Sequence, residues 1–358
     1  MIYITFAFIS SLAVGFLFMP LLINILEKEN LFEEGGIRKV HKGHIPSMGG
    51  IVILIAFTFS VLAWLPGNPF FARKYILGAI FLIALLGIRD DFEPVLPKQK
   101  LVVQFIAAGI IVFLANVRIY SFYGFLGIET IPDWLSYTIS ILFIIFITNA
   151  FNLIDGIDGL AGSMGVICLC IFGSWFYLAG YPEYSIVAIA LMGSVLGFLY
   201  YNWHPASIFM GDTGSLIIGF TLSICSIWFI NLNASLPSEN WYHFNAPLSM
   251  ALSVLLFPIF DTSRVFILRI RQRVSPFRPD KQHIHHQMLR LTNSHGKATI
   301  LIILAYIVVF TLIMTLAKIV SDNILIPIIL IFCILLDSFL RKRLHRFVNK
   351  KRENRENL

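Results

Sequence analysis

Residues 134–178 read WLSYTISILFIIFITNAFNLIDGIDGLAGSMGVICLCIFGSWFYL. An apolar run over 134–150 gives way to Asn152, Asp155 and Asp158, and a second apolar run begins at 159. A helix crosses the hydrocarbon core with about 20 apolar residues, within a range of roughly 17–25. The stretch therefore predicts a span, an acidic turn and a second span. Carboxylates at a bilayer edge are costly unless they hold a cation or do chemistry.

The rest of the chain repeats this theme. Of its 358 residues 58% are hydrophobic and 13% are charged, where a soluble domain carries about 25% charged residues. Eleven spans are predicted, at 2–26, 47–65, 72–88, 100–118, 134–150, 159–179, 184–201, 213–230, 246–268, 298–320 and 323–340. The third and fifth are short. Alternating ten-residue strands, the mark of a membrane barrel, are not seen. The fold class is thus an all-α integral membrane protein, a polytopic bundle of about eleven transmembrane helices. Residues 1–340 form the membrane domain, with connecting loops at 27–46, 89–99, 151–158, 202–212 and 269–297. Residues 341–358 form a basic tail, expected at the membrane surface or partly disordered. The first run has no Lys or Arg before it and is too long for a signal peptide core, so it reads as a retained span. No internal repeat is visible, which disfavours an inverted-repeat transporter. Cys168, Cys170, Cys225 and Cys333 all fall in apolar runs, too scattered for a disulfide framework or zinc spacing.

Eleven spans put the termini on opposite sides. Among the 27 Lys and Arg residues, only Arg73, Lys74, Arg118 and Lys318 fall on one side, and Arg264 falls within a span. The others crowd the opposite side, which the positive-inside rule makes cytoplasmic, with the N-terminus out and the C-terminus in. The net charge of +7 therefore follows topology and is no sign of nucleic-acid binding. The Asp155 and Asp212 loops carry no Lys or Arg, yet the span count puts them on the cytoplasmic side too.

Several motifs share that side. Asp90-Asp91 closes the third span. Adjacent carboxylates on a helix point apart, so one is expected near a nucleophile and the other near a cation; the bland alternative is a solvated helix end. Asn152, Asp155 and Asp158 recur at i, i+3 and i+6, so a helix would stack them on one face. There they could orient a hard cation or sugar hydroxyls; Gly156 and Gly159 also permit a tight loop, and an Asp-capped interfacial loop is the alternative. Phe209-Met210-Gly211-Asp212-Thr213-Gly214-Ser215 opens the eighth span. Asp212 is either an ordinary N-cap or the holder of a Mg²⁺ ion at a helix start that accepts phosphate. His283, His285 and His286 follow Arg278 and Lys281. They suit phosphate contact better than a four-ligand zinc site; a merely polar loop is the alternative. Arg38-Lys39-Val40-His41-Lys42 could meet lipid headgroups or substrate phosphate, and headgroup contact is expected for most of these cations. In Pro46-Ser47-Met48-Gly49-Gly50 the glycine pair favours tight helix packing.

In this order the motifs resemble the polyprenyl-phosphate N-acetylhexosamine-1-phosphate transferase family. The resemblance runs through Pro-Ser-Met-Gly-Gly at 46–50, Asp-Asp at 90–91, Lys-Leu-Val-Val-Gln at 100–104, Asn-Leu-Ile-Asp-Gly-Ile-Asp-Gly-Leu at 152–160, Gly-Asp-Thr-Gly-Ser at 211–215 and His-Ile-His-His at 283–286. The segments 258–264 and 275–280, with Ile284 interrupting the histidines, are similar to the WecA/TagO-type branch rather than the MraY type. Such membership implies a multi-pass protein of the bacterial cytoplasmic (inner) membrane, possible homodimers, and a cytoplasm-facing Mg²⁺ (or Mn²⁺) site. It implies transfer of a sugar-1-phosphate from a UDP-N-acetylhexosamine, here UDP-GlcNAc, to undecaprenyl phosphate, with release of UMP. That would begin a lipid-linked cell-envelope glycan such as the lipopolysaccharide O-antigen.

The expected catalytic residues are Asp90, Asp91, Asp155, Asp158 and Asp212, with the metal on Asp212 and Asp91. Asp90 would take a proton from, or position, the acceptor phosphate, and Lys100 would help. Substrate contacts are expected from Asn152, Arg278, His283, His285 and His286. Direct attack and a covalent carboxylate intermediate both fit these residues. Two alternatives stay open: another UDP-N-acetylhexosamine or phospho-MurNAc-pentapeptide donor, and, from a different class, a proton-coupled transporter, for which Asp261 is the candidate deep charge.

Overall fold

The computed structural model describes residues 1–29, 45–66, 72–274 and 282–356, with side chains to Leu340 and at Lys342. Thirteen α-helices occupy the described residues: α1 (Ile2–Lys28), α2 (Gly49–Trp64), α3 (Arg73–Phe92), α4 (Pro97–Gly109), α5 (Asp133–Leu153), α6 (Leu160–Leu178), α7 (Pro182–Asn202), α8 (Gly211–Ser235), α9 (Pro247–Val254), α10 (Leu256–Arg271), α11 (Ile284–Thr292), α12 (His295–Leu316) and α13 (Asp322–Glu356). A π-helical turn, Ile110–Leu114, extends α4. β-Structure among the described residues is limited to isolated bridge residues: Ser121 paired with Thr130, and Pro46.

Every predicted apolar segment is helical. Among the described residues eight helices, counting α4 with its π-helical turn as one, are long and apolar enough to span a membrane. α2 is apolar but only 16 residues long, and α3 carries Arg73, Lys74, Arg89, Asp90 and Asp91 at its ends. This is a multi-span helical membrane protein.

Two expectations are corrected. The span predicted over 246–268 is two helices, α9 and α10, bent by 80°. Pro258 accounts for the break, because its ring clashes with the carbonyl four residues back and it donates no hydrogen bond there. That carbonyl, on Val254, instead accepts from the Tyr306 hydroxyl at 2.9 Å and the Cys168 thiol at 3.0 Å. The loop predicted over 269–297 contains α11, whose Ile284, His285 and Gln287 are buried. Beyond the last span, the tail continues α13 to Glu356, as a run rich in Lys, Arg and Glu permits.

At the centre stands α8, buried on all sides from Thr213 to Ile230. α2, α3, α5, α6 and α9 pack around it, while α1 lies outside against α7 and α2. Small residues set the closest approaches. A methyl group at Gly50 would overlap the Gly214 backbone, and one at Gly87 would overlap the Thr213 backbone. The segment before α2 also pairs with the segment before α8: Phe209 N donates to the Pro46 carbonyl at 2.9 Å, Gly49 N to Phe209 at 3.0 Å, and Gly50 N to Met210 at 2.9 Å. The glycine pair expected to favour tight packing thus seats the start of α8.

Gly87→Ala is expected to destabilise the protein by about 1–3 kcal/mol, because the backbone it meets cannot rotate away. Gly78→Ala in the same helix faces open space and serves as the control. Thermal midpoints in detergent should fall for the first variant only; equal midpoints would remove the close α3–α8 contact from the account.

Candidate active site

One end of the bundle gathers the chemistry, beginning at the first turn of α8. A helix start leaves backbone amides without partners, and here the cap comes from another helix. The Asp91 carboxylate on α3 accepts from Asp212 N at 2.6 Å, Thr213 N at 3.1 Å and the Thr213 hydroxyl at 2.6 Å. Met210, at the cap position itself, supplies no side-chain bond. Asp91, expected beside the metal, has both oxygens engaged in holding α8.

Asp212 is left facing a polar cluster. Its Oδ2 lies 2.7 Å from the Lys100 ammonium. Its Oδ1 accepts from the Asn152 amide at 3.0 Å, and the same amide nitrogen reaches Ser215 Oγ at 2.9 Å. Lys100 also pairs with Asp90, whose other oxygen accepts from Val95 N at 2.6 Å. Residues from α3, α4, α5 and α8 therefore meet here: Asp90, Asp91, Lys100, Asn152 and Asp212. The carboxylates differ in access. The Asp212 side chain is 32% exposed, against 6% for Asp90.

A second cluster adjoins through the end of α5. The stacking of Asn152, Asp155 and Asp158 on one helix face is not observed. α5 ends at Leu153, and 154–159 forms turns closing on Gly159 at φ +73°; a left-handed residue breaks the helical repeat. The three side chains go to different places. Asn152 joins Asp212, and Asp155 is half-buried on the turn. The Asp158 side chain is 1% exposed, with Oδ2 at 2.9 Å from His204 Nδ1 and Oδ1 at 3.2 Å from His295 Nδ1.

The turn rests on the histidine segment. A methyl group at Gly156 would overlap His285 Nε2. His285 is buried, and burial pushes its pKa down to about 3, so its imidazole is neutral. Its Nδ1 has no hydrogen-bond partner. His283 is also buried; its Nδ1 lies 2.8 Å from Asp261 Oδ2, while Asp261 Oδ1 accepts from Ile284 N at 2.8 Å. Arg264 completes the support, 3.6 Å from Asp261, 2.8 Å from Asp337, and donating to the Gln282 carbonyl at 2.9 Å. Only His286 of the three histidines is partly exposed. Arg278 and Lys281, like the basic stretch 38–42, lie outside the described residues.

Three residues of this end carry weight that the motifs did not reveal. Asp261 holds the start of α11, and its signal was Arg264 three residues later on the same helix face. His204 and His295 hold Asp158, and neither belongs to a pattern, because isolated histidines have no spacing to read.

Among the described residues no group of three or more His, Cys, Asp or Glu side chains forms a metal cage. A structural zinc site closes with four ligands, whereas Mg²⁺ commonly takes one or two carboxylates and completes its shell with water and substrate phosphate. The partly exposed Asp212 carboxylate has hard oxygen donors of the kind the second arrangement uses, with Oδ2 paired to the Lys100 ammonium and Oδ1 to the Asn152 amide N–H.

Residues 74–230, which hold the Asp212 cluster, match the model of glycosyl transferase family 4. Over 351 residues the chain is 33% identical to the probable undecaprenyl-phosphate N-acetylglucosaminyl 1-phosphate transferase of Bacillus subtilis (strain 168), covering 98% of this chain and 94% of the relative. The chain belongs to glycosyl transferase family 4. Other members are also similar to it. The decaprenyl-phosphate N-acetylglucosaminephosphotransferase of Mycolicibacterium smegmatis is 30% identical over 292 residues, covering 75% of this chain and 70% of the relative. The phospho-N-acetylmuramoyl-pentapeptide-transferase of Thermoanaerobacter sp. (strain X514) is 34% identical over 270 residues, covering 73% and 84%. The match to the Bacillus relative is long enough to span both the Asp212 cluster and the histidine segment of this family 4 protein.

Proposed function

We propose that this protein transfers N-acetylglucosamine-1-phosphate from UDP-N-acetylglucosamine to undecaprenyl phosphate, releasing UMP, at the cytoplasmic face of the bacterial inner membrane. The observation that carries the proposal is the Asp212 cluster, where carboxylates, an ammonium and an amide from four helices meet at one end of a membrane bundle. The name and near-complete coverage of the Bacillus relative support the acceptor and the sugar.

In the reaction an oxygen of the acceptor phosphate attacks the β-phosphorus of the donor. The bond from that phosphorus to the bridging oxygen breaks, and UMP departs with the bridging oxygen. One phosphoanhydride replaces another, so the difficulty is repulsion between anions, which positioned cations relieve. Mg²⁺ (or Mn²⁺) bound at Asp212 would supply charge neutralisation for the donor diphosphate. Asp91 fixes the first turn of α8, so that Asp212 sits in one place. Asn152 orients the Asp212 carboxylate through Oδ1. Lys100 supplies the cation for the acceptor phosphate, and Asp90, paired with Lys100 and Val95 N, holds that ammonium in position. Direct attack is favoured over a carboxylate intermediate on Asp90, because the Asp90 side chain is only 6% exposed. Asp155 and the partly exposed His286 face the donor side, with His283 and His285 as their support. The transporter alternative loses its main feature, since Asp261 is matched inside the protein by His283 and Arg264.

The test uses purified protein, donor labelled at the β-phosphorus, undecaprenyl phosphate and Mg²⁺. Label is expected in the lipid fraction in step with UMP release, and EDTA should stop both. Label that stays with UDP, or lipid labelling that survives chelation, would contradict the proposal. A phospho-N-acetylmuramoyl-pentapeptide donor run in parallel addresses the similarity to the Thermoanaerobacter relative, and is expected to give no lipid product.

A further inference from the structure

Two histidines that the proposed chemistry does not use converge on Asp158. His204 and His295 lie with their rings 9° from parallel and 5.6 Å apart between centroids; His204 Nδ1 is 2.9 Å from Asp158 Oδ2, and His295 Nδ1, 3.2 Å from Oδ1, accepts from the Asp158 backbone N–H at 3.3 Å. Ala206 N adds a third contact at 3.3 Å to Oδ2. The backbone of the same turn is held too. The Asp158 carbonyl accepts from the Thr299 hydroxyl at 2.9 Å, and Gly159 N donates to Asn202 Oδ1 at 3.0 Å. Asp158 therefore ties together three separate segments: the turn over 154–159, the 203–210 segment that leads into Asp212, and the start of α12.

The third tie acts on the histidine helix. Only Asn293 and Ser294 separate α11 from α12. Holding His295 against Asp158 fixes the start of α12, and with it the approach of α11 to the turn. At that approach His285 meets Gly156, next to Asp155. The hairpin of α11 and α12 is thus docked on the turn at two points, His285 on Gly156 and His295 on Asp158.

We infer that His204 and His295 are positioning residues that, through Asp158, set the Asp155 turn and the histidine helix against the Asp212 cluster on the donor side. The inference rests on the proposed function for its kinetic consequence, but not for its structural one. Misplacement of about 1 Å at a site can cost about 10²-fold in rate, so a modest release of this clamp should be measurable without unfolding.

The experiment compares His295→Leu, His295→Asn and Asp158→Asn in the full-length protein. Asn places an amide near the position of Nδ1, and Leu removes the polar contact while keeping bulk. His295→Leu is expected to raise the KM for UDP-N-acetylglucosamine about tenfold or more, with the KM for undecaprenyl phosphate within about twofold of wild type. His295→Asn should stay near wild type. Combining His295→Leu with Asp158→Asn should cost less than the sum of the two single changes, because residues in contact are not additive. Hydrogen exchange supplies the structural readout. In His295→Leu, amides over 154–159 and 284–292 should exchange faster, while those of α8 keep their protection. A wild-type donor KM in His295→Leu, full additivity with Asp158→Asn, or unchanged exchange in both segments would overturn the inference. The exchange result stands even if UDP-N-acetylglucosamine proves not to be the donor, which separates failure of this clamp from failure of the proposed reaction.

Discussion

Asp212→Asn is expected to lower turnover about 10²–10³-fold, the loss typical of removing one pre-placed electrostatic contact in a phosphoryl or acyl transfer site. Asn keeps the shape of the side chain and can still accept one hydrogen bond, from Asn152 or from Lys100. It removes the negative charge, and with it the means of holding a divalent cation beside the donor diphosphate. The fold should survive, because the first turn of α8 is held by Asp91 through backbone amides rather than by the Asp212 side chain. The comparison is kcat for UMP release, alongside the thermal midpoint in detergent. Activity within a few-fold of wild type would take Asp212 out of the centre.

The second large effect concerns stability. Asp261 is fully buried, and it bonds to His283 and Ile284 N and faces Arg264. Removing one partner of a buried charged network typically costs about 3–5 kcal/mol, since the remaining charge is left without compensation. Asp261→Ala is predicted to lose about that much and to release the start of α11. Asp261→Asn, which can still accept from Ile284 N, should lose less. Thermal midpoints of the two variants decide the matter: an Asp261→Ala protein as stable as wild type would show that the histidine segment does not depend on this anchor.

Much of the architecture was open to reading because apolar length alone decides where a chain crosses a bilayer. The run at 134–150 became α5 and the run at 159–179 became α6, with Asn152 at the junction beside Asp212. Interruptions within runs were harder to read. Pro258 was visible, but its consequence depended on whether Val254 could find other donors, and Tyr306 and Cys168 are distant in sequence. α11 was missed because it is polar and short; the residues it buries, Ile284, His285 and Gln287, are mostly polar, so no apolar period marks them.

The site divides in the same way. Asp90, Lys100, Asn152 and Asp212 were all expected to act together, and they meet. The i, i+3, i+6 spacing of Asn152, Asp155 and Asp158 suggested one face, yet α5 ends at Leu153 and the turn that follows carries Asp158 inward to His204 and His295. Periodicity predicts a shared face only while the helix continues. Asp91 shows a related ambiguity, because a carboxylate that caps a neighbouring helix and one that faces an open site have the same sequence neighbours.

The central claim is that Asp212 holds a divalent cation for phosphoryl transfer, and the binding of that cation tests it most directly. Mn²⁺ can be followed by its free-ion electron paramagnetic resonance signal as it is titrated into wild-type and Asp212→Asn protein in the presence of UDP-N-acetylglucosamine. The wild type should remove the signal in proportion to protein, and the variant should leave it free. Equal uptake by the two proteins would contradict the account.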